Sequence, residues 1–122
     1  MKWEQIEETI RTKFKGKAVE KASSSIYKNG ERCCYLTKDG KKCGMGIFIP
    51  DGHEAQEDEN TVIGTLGTYP DLWDYMPSQD GTKLREFQQF HDDKLTKDMP
   101  LEEQKNMLVK KAMELFPMEA AL

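Results

Sequence analysis

The three cysteines and two histidines of this 122-residue chain are its side chains best suited to bind a soft metal or attack an electrophile. Cys33 and Cys43 stand on either side of Asp39-Gly40, a tight-turn dipeptide. Strands pairing across that turn bring both sulfurs toward one point. His91 shares a stripe with Leu84, Phe87 and Leu95, so its imidazole aims into the interior or a cleft at its edge. Should His91 meet Cys43 or Cys33, the chemistry is that of a thiolate–imidazole pair, or of a zinc site completed by His53 or Asp51. Two facts pull the other way. Structural zinc sites draw paired thiols from knuckles about two to four residues apart, whereas nine residues separate this pair. Buried cysteine also serves as a small hydrophobe, and a buried histidine is satisfied by a backbone carbonyl. An orienting partner for His91 is expected in Gln88, one turn earlier; Asp92 is disfavoured because adjacent helical residues point about 100° apart.

Charge is the second source of function. Residues 1–50 carry 11 Lys+Arg against 6 Asp+Glu, whereas residues 51–80 carry 8 Asp+Glu and no Lys or Arg. Glu54, Glu57, Asp58, Glu59, Asp71 and Asp74 are therefore candidates for contact with a basic protein surface, the plainer alternative being a solvated loop. The alternating ligand pattern of a calcium EF loop is missing. Arg11, Lys13, Lys15 and Lys17, with Lys38, Lys41 and Lys42, lack the aromatic platform or helix-turn-helix signature of a nucleic-acid binder. P-loop, dinucleotide-fold and serine-nucleophile motifs are absent.

Periodicity supplies the elements that must position these residues. Trp3, Ile6, Ile10 and Phe14 repeat at helical spacing, and Gly16 stops that helix. Asn29-Gly30 and Asp39-Gly40 divide Ser25–Tyr27, Arg32–Leu36 and Lys42–Ile49 into a three-stranded antiparallel meander, in which Gly44 and Gly46 mark a bulge or a close approach to the backbone. Residues 51–60, polar and acidic, are expected to form a loop or a short exposed helix. Short helices are expected at Thr61–Leu66 and from Tyr69 to Trp73, then a longer helix capped by Thr82, and a last one opened by Asp98 and Pro100 and ended by Pro117. The expected fold is α+β: one domain, 1–122, with two longer C-terminal helices packed on the sheet and a frayed tail at 117–122. No apolar run reaches membrane-spanning length, and the start of the chain is amphipathic and charged, so a reducing cytoplasm is the expected compartment and a disulfide framework is not expected.

Cys33-Cys34-Tyr35, Gly40-Lys41-Lys42-Cys43-Gly44-Met45-Gly46, Ile49-Pro50-Asp51 and Phe87-Gln88-Gln89-Phe90-His91-Asp92 together resemble the pattern of a group of small proteins common in tailed-phage genomes and prophages. That pattern reads C-x-Y, a turn with Gly, K-C-A-x-G, L-I-P-D, an acidic E-G pair and L-Q-x-x-H-D. Here Gly44 replaces the usual Ala and Glu59-Asn60 stands for E-G, while His53 falls where the group has no fixed histidine; Cys33, Cys43 and His91 carry over. The resemblance implies an origin, with the bacterial host's cytoplasm as setting. Joined to small size and segregated charge, it implies an accessory protein that binds a host or anti-phage defence component with a basic surface, such as a CRISPR effector, and engages neither nucleic acid nor membrane. The alternative is a small zinc- or thiol-dependent protein or enzyme centred on Cys33, Cys43 and His91.

Overall fold

The computed structural model describes residues 2–17, 19–21, 31–33, 35, 40–57 and 61–116. Its first element follows from the apolar stripe at the N-terminus: α1 (Trp3–Lys13) opens with the Gln5 side chain accepting from the Lys2 N–H at 2.8 Å. Ile6, Ile10 and the following Phe14 are buried, and the chain turns away at Gly16, whose φ of 125° suits a residue without Cβ. The later helices are α2 (Val62–Thr68), α3 (Gly81–Lys94) and α4 (Leu101–Leu115), with a 3-10 helix at Pro70–Tyr75 between α2 and α3. Thr61 caps α2 through its hydroxyl. The cap of α3 is Asp80 rather than the expected Thr82, its carboxylate accepting from the Thr82 and Lys83 N–H groups.

The core is helix on helix: α3 packs on α4 and α2, and α4 on α1. Leu84, Phe87, His91 and Leu95 all face inward, as their spacing requires; Leu108, Ala112 and Leu115 of α4 are buried too, and Phe116, just past its end, meets the Phe87 ring at 5.6 Å. Full burial of each large apolar side chain stabilises by roughly 1.5–3 kcal/mol.

The α+β expectation is overturned: the protein is mostly helical, and no three-stranded meander is present among the described residues. Extended pairing among the described residues is one short antiparallel ladder, β1 (Val19–Lys21) against β2 (Glu31–Cys33), with Val19 opposite Cys33. The proposed Ser25–Tyr27 strand and the Asn29-Gly30 turn lie outside the described residues. Where a third strand was expected, Lys42–Ile49, the chain instead turns and enters a 3-10 helix at Gly46–Phe48, with every residue from Lys42 to Ile49 buried. An alternating strand exposes every second side chain. This segment has nothing to expose, and its two glycines are compressed against other elements. A Cβ on Gly46 would stand 2.1 Å from the Tyr35 carbonyl oxygen, and one on Gly44 would stand 3.3 Å from the His91 Cβ and from Phe87. Close approach to the backbone, one of the two readings of these glycines, is the one found.

Candidate functional site

The buried 42–49 segment is held by side chains from three directions. Within it, the Gly46 N–H donates to Cys43 Sγ at 3.3 Å and the Ile47 N–H to the Cys43 carbonyl at 3.1 Å. From α3, Gln88 accepts from the Met45 N–H through Oε1 at 2.9 Å, and its amide donates to Asp92 Oδ1 at 2.9 Å. The same oxygen lies 2.8 Å from His91 Nδ1. A carboxylate only accepts, so this nitrogen of His91 carries a proton. At the end of the segment, Lys42 turns a buried stem outward and bonds the exposed Asp51 carboxylate, which Lys13 of α1 also reaches at 3.7 Å. The Lys42 hydrogen bond and charge, and then the Lys13 charge, hold the Asp51 carboxyl below the usual carboxylate range. Lys17 completes the frame, its ammonium donating to the carbonyls of Asp92 (2.7 Å) and Leu95 (2.9 Å), where the last turn of α3 leaves acceptors without helical partners.

Several of the described residues that carry the resemblance thus make contacts along this segment. Tyr35 backs Gly46, Lys42 pairs with Asp51, Gly44 touches His91, and Gln88, His91 and Asp92 form one polar chain. Asp92, disfavoured on angular grounds, is the orienting carboxylate. Nδ1 of imidazole and Oδ1 of aspartate both lie close to their own Cβ atoms, so adjacent residues bridge over a short reach despite diverging. Gln88 does contribute, by positioning Asp92 and holding Met45.

An oriented imidazole–carboxylate pair is suited to proton transfer, yet His91 has 0% exposure and its ring packs edge-on to Phe14 at 6.1 Å. A substrate reaches it only if the core opens. A separate recess between Tyr35, Met45, Ile49, Val62, Thr65, Leu66, Leu72 and Met76, which His91 does not line, measures about 10 Å³, room for no more than one water. Cys43 is buried on the segment that packs on His91, but that segment is a turn leading into the Gly46–Phe48 3-10 helix rather than a strand, so the hairpin expected to join the Cys33 and Cys43 strands is not formed. The Cys33 side chain lies outside the described residues. Among the described residues, no three His, Cys, Asp or Glu side chains converge to hold a metal ion. The buried cluster seats a segment with two closely packed glycines against α3.

The acidic residues take a different course. Glu54 is exposed in a 3-10 turn, Glu54–Glu57, and Asp71 and Asp74 are exposed on the 3-10 helix Pro70–Tyr75. Asp58 and Glu59 lie outside the described residues, as does the Glu57 side chain. Asp74 faces Gln5, Glu8 and Thr9 across an open groove, extending the negative surface onto α1. His53 joins the two acidic turns: its Nε2 lies 2.8 Å from Asp71 Oδ2, and its Nδ1 accepts from the Ala55 N–H at 3.0 Å. Ile63 and Tyr75, each 49% exposed, belong to the same stretch of chain. Sequence reasoning missed the His53–Asp71 contact and the placement of Glu8 opposite Asp74, since both depend on how distant turns pack.

No helix among the described residues is long and apolar enough to cross a membrane. Comparison of the chain with protein-family models, with curated proteins and with solved structures finds no match in any of the three.

Proposed function

We propose that this chain is a phage-type accessory protein that acts by binding, docking an acidic face onto the basic surface of a host or anti-phage defence protein and thereby inhibiting it. The observation that carries the reading is the exposure of Glu54, Asp71 and Asp74 in a stretch, 51–80, without one Lys or Arg, together with two half-exposed large side chains, Ile63 and Tyr75. Tyrosine is enriched in protein interfaces, and a charged rim speeds encounter with a partner of opposite sign. The burial of the histidine, thiol and glycine residues that carry the phage-type pattern supports the same division of labour, with the pattern building the interior and the surface left to meet a partner.

A plating assay tests it. Bacteria with an active CRISPR defence, expressing the parental chain, are expected to let targeted phage form plaques. Bacteria expressing Glu54→Lys/Asp74→Lys, at equal protein level and unchanged melting temperature, are expected to stay immune. Equal protection of phage by both chains would remove the acidic face from the reading, and no effect of the parental chain would remove this defence component as the target.

A further inference from the structure

His53 is engaged at both ring nitrogens, by partners of opposite character. The Ala55 N–H can only donate, and Nδ1 accepts it at 3.0 Å; the Asp71 carboxylate can only accept, and Nε2 stands 2.8 Å from it. The two contacts allow one state, a neutral ring protonated at Nε2. In that state the imidazole bolts the Glu54–Glu57 turn to the Pro70–Tyr75 helix, with the Tyr69 ring edge-on at 5.3 Å.

We infer that His53 is a proton-operated latch on the acidic face. A proton taken from solvent onto the Nδ1 lone pair sets two donors against each other across 3.0 Å, so the Ala55 N–H loses its acceptor and the start of the turn bearing Glu54 lets go. The contact at Asp71 becomes an ion pair and stays. Histidine is the side chain that ordinarily changes charge under mildly acidic conditions, and such a change is how pH-sensitive surfaces work. The charged groups around the ring are Asp71 on the facing 3-10 helix and, on the ring's own segment, Glu54 and Asp51, the latter engaged with Lys42 and Lys13. Among the described residues no lysine or arginine pairs with the imidazole. The Gln56 N–H still bonds the His53 carbonyl and the Gly52 N–H still bonds Gln56 Oε1, so the release is confined to Glu54 and Ala55. As regulation of docking, the latch rests on the proposed function; as a property of the ring, it does not.

Nitrogen-detected histidine NMR on the full chain, with His53→Gln to assign the two rings, reads the latch directly. At neutral pH the His53 ring is expected as the Nε2–H tautomer. On mild acidification the Ala55 amide shift should follow the His53 titration, and its hydrogen-exchange protection should fall roughly fivefold, the loss of one ordinary hydrogen bond. An Nδ1–H tautomer at neutral pH, or an Ala55 amide that stays still while the ring titrates, overturns the latch. The Glu54→Lys/Asp74→Lys plating result is obtained near neutral pH with the latch closed, so either idea can fail without the other.

Discussion

Replacing Gly46 with alanine is the sharpest perturbation the packing allows. The added Cβ would stand 2.1 Å from the Tyr35 carbonyl oxygen, 2.9 Å from its carbon and 3.0 Å from its Cα, where ordinary contact begins at 3.4 Å. The neighbour is backbone, so no rotamer relieves the clash, and the two segments must part by more than about 1 Å. Tyr35 resists, because its ring is buried and its hydroxyl lies 3.1 Å from Thr65 Oγ1. Overpacking a core with a flexible neighbour costs about 1–3 kcal/mol; a rigid backbone neighbour puts Gly46→Ala at the top of that range, about 3 kcal/mol or more. For a domain of this size the melting temperature should fall by about 10 °C or more. Gly44→Ala is the matched control. Its Cβ would meet the Phe87 ring, the Phe87 carbonyl and the His91 Cβ, each at 3.3 Å. A shift of a few tenths of an ångström relieves that, for about 1 kcal/mol or less, and the resembling phage pattern carries alanine at this place. Thermal melts and urea titrations of the two variants decide the matter. A Gly46→Ala protein that melts with the parent, or a Gly44→Ala protein that is the less stable of the two, would refute the close approach of Gly46 to Tyr35.

Three further outcomes follow from the same frame. Gln88→Leu leaves the buried Met45 N–H without its acceptor and Asp92 without the amide, and should lower unfolding free energy by about 1–3 kcal/mol in urea titrations; a neutral effect would mean the Met45 contact is dispensable. Asp51 has a folded pKa below its unfolded one, so the stability it contributes is complete above the ordinary carboxylate pKa of about 3.9 and is lost as pH falls through the lowered folded value. Asp51→Asn should therefore be less stable than the parent at neutral pH, with the two curves converging in acid; curves that stay parallel would exclude the Lys42–Asp51 pair as the source. Lys17→Met removes the donor to two carbonyls at the end of α3 and should cost about 1–2 kcal/mol, with faster hydrogen exchange confined to the last turn of α3; unchanged exchange there would count against the cap.

What could be read from the residues and what could not divide along the range of the interactions involved. The stripes Ile6–Ile10–Phe14 and Leu84–Phe87–His91–Leu95 lie on single helices, where a 3.6-residue period is visible without knowing any partner, and both face the core as expected. The strand expected at Lys42–Ile49 rests on the Asp39-Gly40 turn dipeptide before it, a local signal that does not report what the segment packs against. Its true state depends on Tyr35, Phe87 and His91 crowding Gly44 and Gly46, contacts that span long separations and leave no local period. Gln88 was reached by helical geometry and Asp92 was lost by it, since side-chain length decided what angle alone did not. The acidic stretch was visible as composition. Its arrangement, with His53 clamping Asp71 and Asp74 facing Glu8, arises from packing between turns.

The ties that hold the 42–49 segment and the acidic face draw on different side chains. Lys42, Asp51, Gln88, His91 and Asp92 join a buried segment to its helix, while Glu54, Asp71 and Asp74 meet solvent. Docking through the acidic face is tested most directly by affinity capture from bacterial lysate with quantitative mass spectrometry, comparing the tagged parental chain with Glu54→Lys/Asp74→Lys at low and high salt. A basic protein held by the parent, released by salt and lost from the variant is the expected result. The same protein held equally by both chains, at either salt concentration, would contradict it.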